Sequence, residues 1–509
     1  MKQLFLIFAL CFGSLKAQND SSIVATVGSY QITSDDLLTS YEFGPAFVKR
    51  RHDNLREHLK YMIYERLLAM EAERNGLQTS AFVQERIKAL EEDGALEQLY
   101  RKDILSQVKL SEEQIENDIR KAKITLSLRW IYKQTIGEAE QAERLILAGT
   151  SFDSLFALQS DSTVNVDSRS LETTLLKLER DNAELSKSVS GMKVGKISQP
   201  VRGKDGYYII RLEKALHNPI TAESEYTELK NQAIEIRTKL TADKLADQYV
   251  KNLMSQNAPV IKAEGFKILS AYLADKGLSR DTKVTWDIPS TFMTEAGPQP
   301  IRNSGKYLSR PLVTFGRRTI TIRDYAQWYD IRQFQFDTHS RDAFNSSVKK
   351  TIWKMVQDKL LSEEAYRRGL DRHPFVVNET KKWQVKLLYL AERAAVVRMI
   401  NASDSALDNY YRVHKKQYID IKGKVKDFLT VRESVKGDYF STEESLLLVK
   451  TIELLNKKYP VTVNEELLRR LSRKTVSDPR AIEAVFYKPG GSFPRVAFPT
   501  IDEAWSMLR

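Results

Sequence analysis

The histidines are the side chains of this sequence best suited to acid–base catalysis near neutral pH and to metal binding. The chain has six of them, at His52, His58, His217, His339, His373 and His414. No two follow the HExxH spacing that would place a pair of imidazoles on one face of a helix. The sequence also lacks a Gly-x-Ser-x-Gly elbow and a glycine-rich phosphate loop. We therefore expect solvated histidines, no metal site and no cofactor.

The single cysteine, Cys11, lies in the N-terminal stretch MKQLFLIFALCFGSLKA. A lysine, an apolar run and a closing alanine form the pattern of a secretory signal peptide over residues 1–17. The mature chain would begin near Gln18 and have no thiol, which excludes disulfides, thiolate catalysis and cysteine-based zinc sites. No later segment is apolar enough to span a membrane. We expect a soluble protein of an exported compartment, most simply a bacterial periplasm.

Length and charge further limit the domain organisation and the partners that the chain can have. At 509 residues, with 42% hydrophobic and 29% charged residues, the chain predicts three or four folded, mostly helical domains. Its formal charge of +12 is spread in mixed patches. Nucleic acid is a poor partner for an exported protein, so the excess charge indicates either simple solubility, which we favour, or a mild attraction to anionic membranes or acidic client chains.

The spacing of apolar residues predicts the elements that follow the signal. Residues 23–38 alternate as a strand, turn and enter a helix. Over 55–70 the apolar residues recur at steps of three and four, which predicts an amphipathic helix that ends at Gly76. A further helix is predicted over 82–105, and residues 111–114 have the Ser-x-x-Gln spacing of a capping box.

The same pattern returns in the second half of the chain. Residues 312–325 repeat 24–37 at an offset of 288. Residues 360–376 then repeat 67–83 at an offset of 293, with nine identities in seventeen positions. Helix composition alone does not account for so many identities. The sequence therefore predicts a duplicated helical frame.

Two further anchors extend this repeat. Residues 403–411 match 111–119 at an offset of 292, and the segment near Pro460 resembles that near Pro259 at an offset of 201. The second copy would then lack about 91 residues, close to the length of the segment 125–216. Either one copy carries an inserted domain there, or the Pro259 anchor is a chance alignment.

The segment 125–216 has the order strand, three helices, turn and strands. Along it stand Arg129, Ile131, Gly149, Phe152, GKISQPV at 195–201 and GYYII at 206–210. In these residues, and in the order and spacing of its elements, the segment resembles the parvulin-type prolyl isomerase domain, which implies an α+β fold.

The departures from that family fall where its chemistry lies. The two family histidines fall on Trp130 and Tyr208, and the family's Gly-Gly-Asp-Leu-Gly stretch reads DSRSL at 167–171. No histidine occurs between positions 59 and 216. We therefore assign no catalytic residue, and whether the chain is an enzyme stays open.

Three interpretations of the altered pocket remain: a cleft filled as core, a peptide-gripping pocket, or a weak isomerase. The resemblance implies a degenerate substrate pocket lined by Trp130, Phe152, Asp161, Leu171, Leu185 and Tyr208.

With its flanking helices, the chain resembles the SurA and PrsA families of extracytoplasmic chaperone-foldases. The resemblance implies an ATP-independent chaperone that binds unfolded outer-membrane or secreted proteins, with a parvulin-like domain that is inactive or weak. One alternative is an active peptidyl-prolyl cis-trans isomerase. Another is a structural subunit of an envelope export or assembly machine, which would use the same surfaces on one fixed partner.

The expected fold class is α+β: a mostly helical, duplicated frame with one inserted parvulin-like domain. The predicted divisions are a signal peptide (1–17), an N-terminal helical module (18–124), the parvulin-like domain (125–216), return helices packing on the N-terminal module (217–255), a linker or connecting subdomain (256–311), a second helical module (312–416) and its C-terminal part without a parvulin domain (417–509).

Overall fold

The computed structural model describes residues 22–50, 53–158, 169–203, 206–220, 222–277, 293–294, 297–298, 305–420, 423–474 and 498–508. The proposed signal peptide lies outside these residues. Among them, 102–248 form one compact unit, and the remainder form a second, larger one. Across the described ranges, no helix has the length and apolarity needed to cross a membrane.

Helices dominate both units, as the expected fold class states. The helices are, in chain order, α1 (Ser34–Glu42), α2 (Ala46–Lys49), α3 (Asn54–Arg74), α4 (Ala81–Asp103), α5 (Glu112–Ala122), α6 (Ile136–Leu147), α7 (Phe152–Ala157), α8 (Leu175–Asp181), α9 (Ala183–Ser190), α10 (Glu223–Asn257), α11 (Ala263–Gly277), α12 (Gly305–Leu308), α13 (Ile322–Arg332), α14 (Arg341–Arg367), α15 (Pro374–Val397), α16 (Asp404–His414), α17 (Phe428–Lys458) and α18 (Glu465–Lys474).

The strands are short outside the inserted domain. They are β1 (Ile23–Val27), β2 (Tyr30–Thr33), β3 (Ile124–Lys133), β4 (Ser170–Thr174), β5 (Val201–Arg202), β6 (Tyr207–His217), β7 (Val260–Ile261), β8 (Met293–Thr294), β9 (Gly297–Pro298), β10 (Pro311–Phe315), β11 (Arg318–Thr321) and β12 (Val461–Val463).

Local signals in the sequence set the helix ends. The Ser111 hydroxyl accepts a hydrogen bond from the backbone N–H of Gln114, whose side-chain oxygen accepts one from the Ser111 N–H, so the predicted capping box is confirmed. The predicted helix over 55–70 is confirmed as α3. It ends before Gly76, which has φ +75°, a left-handed conformation that glycine adopts without steric cost.

The larger unit contains two three-stranded antiparallel sheets of matching design, β12-β1-β2 and β7-β10-β11. Each hairpin has one register shift, between Ile23 and Ala25 in the first and between Pro311 and Val313 in the second. These positions are 288 residues apart, which is the offset of the sequence repeat. The two hairpins therefore share a backbone irregularity as well as a sequence pattern.

The third strand of each sheet comes from the other part of the chain. Strand β7 follows α10 but pairs with the second hairpin, where Ile261 lies opposite Val313. Strand β12 follows α17 and pairs with the first hairpin, where Val463 lies opposite Ala25. The closing strands are thus exchanged between the two hairpins. Their registers relate Ile261 to Val463, an offset of 202, one residue more than the sequence alignment predicts.

The hydrophobic cores follow the same exchange. The first core joins residues 24–72 to buried side chains of α15, α17 and α18 and to Ile501 and Trp505. The second core joins residues 308–360 to 269–274 of α11. Each core therefore needs residues from both predicted copies of the repeat. The duplication itself stays a prediction, supported by these matched elements.

The linker or connecting subdomain predicted over 256–311 contains regular elements in its first part. Strand β7 and helix α11 lie within it, and Leu269 and Tyr272 of α11 are buried in the second core. The glycines and prolines near 297–305 dominate the sequence pattern of this segment. Because these residues dominate, the pattern does not predict strand β7, which has only two residues, or helix α11, whose core partners follow the glycines and prolines in the chain.

The end of the chain is anchored in the first core. The Trp505 ring stacks between those of Tyr61 and Tyr389, with ring centroids 5.8 and 5.7 Å away. Its Nε1 donates to Glu65 Oε1 at 3.1 Å, and Lys386 Nζ donates to the same oxygen at 2.6 Å. Buried polar groups of α3, α15 and the C-terminal turn thus satisfy one another.

The smaller unit holds one four-stranded antiparallel sheet in the order β4-β3-β6-β5. Helices α5 and α10 pack together beside α8 in a compact cluster of Ile119, Ala122, Leu176, Ala233 and Ile236. The long strands β3 and β6 occupy the centre of the sheet and position the candidate site.

Candidate functional site

The candidate site lies on the two central strands of the smaller unit. Strands β3 and β6 are antiparallel, with Trp130 opposite Ile210 and Tyr132 opposite Tyr208. Because successive side chains of a strand point to opposite faces, Trp130 and Tyr132 share one face and Ile131 lies on the other. Directly opposed residues lie on the same face, which adds Tyr208 to the tryptophan side.

Three aromatic rings form this face, which we call the aromatic face (Trp130, Tyr132 and Tyr208). The centroids of Trp130 and Tyr208 are 6.4 Å apart, and those of Tyr132 and Tyr208 are 5.4 Å apart in an edge-to-face arrangement. These separations are typical of favourable aromatic pairs. All three side chains are half-buried, so each ring has one packed part and one part in contact with solvent.

The sequence interpretation missed Tyr132. The alternation of β3 places position 132 beside position 130 on the same face, and that signal was sufficient to find it.

Two glycines allow the aromatic face to lie directly against the turn between β5 and β6. A Cβ atom at Gly203 would lie 2.3 Å from Tyr208 Cε2, and one at Gly206 would lie 2.6 Å from Tyr132 Cε2. The Gly203 N–H donates to the Gly206 carbonyl at 2.7 Å, which joins the end of β5 to the start of β6. Any larger residue at either position would displace a ring of the aromatic face.

An aliphatic cluster supports the aromatic face from below. Trp130, Tyr208 and Leu185 pack against its buried members, which are Leu126, Leu128, Leu175, Leu178, Val189, Ile210 and Leu212. Leu171 of β4 lies opposite Leu128 and is therefore on the same face, at its exposed edge. Of the predicted pocket residues, the structure thus brings together Trp130, Leu185 and Tyr208, with Leu171 beside them.

Phe152 does not belong to this group. It is buried on the opposite face of the sheet with Phe156, Ile131 and Ile209. The start of α7 turns its apolar side toward that face, which sequence spacing alone does not reveal. Asp161, the remaining predicted pocket residue, lies outside the described residues.

A charged cluster covers the Phe152 side of the sheet. Asp153 accepts hydrogen bonds from Arg211 at 2.8 Å and from Arg129 at 2.7 Å. The hydrogen bond from Arg211, and then that from Arg129, hold the pKa of Asp153 below its ordinary value. The guanidinium groups also lie over the rings of Phe152 and Phe156. These contacts attach α7 to the sheet, and we assign them a structural role.

The expectation of solvated histidines is wrong for His58. It is buried in α3, three residues after Leu55 on the apolar stripe, with Nε2 2.9 Å from Ser40 Oγ. Burial, followed by the nearby charges of Lys49 and Lys386, lowers the pKa of His58 to about 3. The imidazole is therefore neutral at physiological pH.

Comparison with known families supports the sequence resemblance. Residues 125–228 match the model of the PPIC-type PPIASE domain. A search of curated proteins found no significant match.

Among solved structures, the chain is similar to peptidylprolyl isomerase PrsA from Bacillus anthracis, with 17% identity and a TM-score of 0.23, covering 38% of this chain and 96% of that one. PrsA from Bacillus subtilis shows 17% identity and a TM-score of 0.17, covering 45% and 93%. Foldase PrsA from Streptococcus pneumoniae shows 11% identity and a TM-score of 0.22, covering 43% and 88%. The family match confirms that this chain contains a PPIC-type PPIASE domain, the family that carries the parvulin-type pattern.

Proposed function

We propose that the chain is an exported, ATP-independent chaperone of the PrsA/SurA kind. It binds extended segments of unfolded outer-membrane or secreted proteins on the aromatic face of its PPIC-type domain, without accelerating prolyl isomerisation. The observation that carries the proposal is the replacement of both family histidines by the half-buried rings of Trp130 and Tyr208.

The chemistry of the reaction supports this assignment. Rotation about an X-Pro bond has a barrier of about 20 kcal/mol and requires no covalent intermediate. A site accelerates it only if it binds the twisted imide more tightly than the planar forms. Trp130 has a single N–H donor, and neither it nor Tyr208 supplies the paired imidazole hydrogen bonds of the family. Broad rings on an aliphatic support bind both planar isomers through apolar contact, which gives affinity without catalysis.

The proposal is tested in a proline-limited refolding assay with the mature chain. We expect a refolding rate within about twofold of the uncatalysed rate, since equal binding of both isomers leaves the barrier unchanged. The variant carrying Trp130→His and Tyr208→His restores the family residues and is the comparison. A wild-type rate approaching that of histidine-bearing parvulins would show that the chain is an isomerase and contradict the proposal.

A second measurement tests binding. Tyr208→Ala should reduce suppression of aggregation of several unrelated denatured proteins by about threefold or more, because it removes the central ring of the aromatic face. Tyr207→Ala is the matched control, one residue earlier on the same strand and on the opposite face. Equal effects of both variants would indicate that Tyr208 only fills the former cleft as core.

A further inference from the structure

A second surface with a distinct composition lies at the end of the helix pair α16–α17. We call it the tip; it comprises the last turn of α16, the turn Lys415–Gln417, residues 418–420 and 423–427, which the bridge between Ile419 and Val425 joins, and the first turn of α17. It belongs to the larger unit and shares no residue with the PPIC-type domain, so its role is independent of the function proposed above.

Four aliphatic side chains of the tip face solvent. Val413 and Leu429 are each 79% exposed, Ile419 is 48% exposed and Val425 is 43% exposed. Single exposed apolar residues are ordinary on protein surfaces, but here four aliphatic side chains are exposed between positions 413 and 429, at one end of the helix pair.

The tip is held in shape from beneath. Tyr411 packs against Tyr418 and Phe428, with ring centroids 5.8 and 5.6 Å away. Its hydroxyl donates to the Lys426 carbonyl at 2.5 Å, and the Lys426 N–H donates to the Tyr418 carbonyl at 2.8 Å. The exposed aliphatic residues are therefore attached to a packed and hydrogen-bonded backbone. The rings of Tyr411, Tyr418 and Phe428 pack together beneath them.

Lysines surround the aliphatic side chains. Lys415, Lys416, Lys424 and Lys426 are all exposed, and none of them forms an ion pair with another described residue. The carboxylates nearby have other roles: Asp420 accepts from the Lys424 backbone N–H at 2.9 Å. Asp427 caps α17 by accepting from the Leu429 N–H at 3.0 Å. The four lysines outnumber the two carboxylates, so the net charge of these residues is positive.

We propose that the tip docks the protein on an anionic phospholipid bilayer. Exposed aliphatic side chains partition into the boundary between headgroups and acyl chains, and surrounding lysines are attracted to anionic headgroups. Arg412 of the tip is paired with Asp408, and the remaining cations described above are lysines, whose long stems let the aliphatic residues enter while the ammonium groups stay at headgroup level. An acidic protein partner would also complement the positive charge. The tip, however, is too small to bury the surface area that is typical of a stable protein–protein interface.

The test is co-sedimentation of the full-length mature chain with vesicles of phosphatidylcholine alone or with 30% phosphatidylglycerol. We expect binding to the anionic vesicles that falls at least tenfold between low and high salt, since exposed charges are screened. Lys424→Gln combined with Lys426→Gln should lower the partition coefficient about 25-fold, at roughly fivefold for each lysine removed. Val413→Ser combined with Leu429→Ser should also lower it at least tenfold.

Matched controls separate the tip from general surface composition. Lys349→Gln with Lys350→Gln removes two exposed lysines of α14, and Leu147→Ser with Leu158→Ser removes two leucines that are also 79% exposed. Both control variants should bind anionic vesicles within about twofold of the wild type. Absence of binding, equal binding to neutral vesicles, or equal loss in the control variants would overturn the proposal. So would tip variants that bind vesicles normally but lose affinity for unfolded polypeptides.

Discussion

The helix pairs α5–α10 and α16–α17 hold matching places in the two halves of the chain, yet they are joined differently. Between α5 and α10 lies the sheet of the PPIC-type domain, whereas residues 415–427 alone connect α16 to α17. The packing positions correspond: Ile119 and Ala233 in the first pair match Tyr411 and Val435 in the second, at offsets of 292 and 202.

Two positions that form an ion pair in one helix pair hold an aromatic pair in the other. Asp118 is buried and accepts hydrogen bonds from Arg237 at 2.6 and 2.5 Å. At the corresponding positions, 292 and 202 residues further on, Tyr410 and Tyr439 meet edge to face with ring centroids 5.6 Å apart. The same positions are thus filled by charge in one case and by rings in the other.

The ion pair extends into the PPIC-type domain. Glu179 of α8 accepts from Arg237 at 3.1 Å and from Lys121 at 2.5 Å. The Tyr410 hydroxyl instead lies 3.0 Å from Thr442 Oγ1, within its own helix pair. The helix pair that carries a domain thus uses charges to hold it, whereas Tyr410 of the other pair bonds to a residue of its own pair.

The largest effect is expected from Arg237→Ala. It leaves the buried Asp118 carboxylate without its bidentate partner, which costs about 3–5 kcal/mol when a buried pair is broken. The Lys121 ammonium, 3.8 Å from Asp118, favours the lower end of that range. Tyr439→Ala removes a ring pair worth about 0.5–1.5 kcal/mol beyond its buried area and should destabilise less. Hydrogen exchange of α5 and α10, compared with α16 and α17, measures both losses.

A double variant distinguishes charge from packing. Asp118→Leu with Arg237→Met replaces the ion pair by apolar side chains, and such replacements are often neutral or stabilising. We expect hydrogen exchange of α5 close to that of the wild type. If the double variant exchanged as fast as Arg237→Ala, the loss would reflect packing of the arginine stem, and the contrast between the two helix pairs would lose its electrostatic basis.

The second prediction compares His58 with Thr351, its counterpart 293 residues further on. The folded pKa of His58 is lowered to about 3 from an unfolded value of 6.5, so the unfolded chain binds more protons between these values. The contribution of neutral His58 to the free energy of unfolding is fully present above pH 6.5. It decreases by about 1.4 kcal/mol per pH unit as the pH falls toward 3. The expected loss is roughly 2 kcal/mol at pH 5, measured by urea unfolding at pH 5 and pH 8.

The variant His58→Thr places the counterpart's residue in the first core, and His58→Gln keeps more of the volume. Both should be less stable than the wild type at pH 8, but each should lose about 2 kcal/mol less on acidification to pH 5. A wild-type chain whose stability changes no more than that of the variants between these pH values would refute the assignment.

The smallest effect is expected at the surface of α18. This helix and the strand β12 before it form the exchanged segment. Arg56 of α3 pairs with Glu465 of α18, and both side chains are about half exposed. Exposed pairs contribute at most about 1 kcal/mol, so Arg56→Ala should lower the free energy of unfolding by less than that. A loss above about 2 kcal/mol in urea unfolding would mean that this pair, rather than the apolar packing of α18, holds the exchanged segment.

Local signals in the sequence are sufficient to predict the helices, their ends and the type of the inserted domain. Capping residues, the apolar stripe of α3 and the stop at Gly76 depend only on neighbours within a few residues, so they are readable without a structure. The parvulin-type pattern over 125–216 was equally readable, because its motif residues stand close together along the chain.

Three features depend on tertiary packing and are not readable from local sequence. They are the pairing of each closing strand with its hairpin, the burial of His58 and the position of Phe152 away from the aromatic face. Strands β7 and β12 have similar sequences, and nothing local to either selects β1 or β10 as its partner. That choice depends on the free energy of packing α11 and α18 into whole cores, summed over residues that are distant from either strand in the chain.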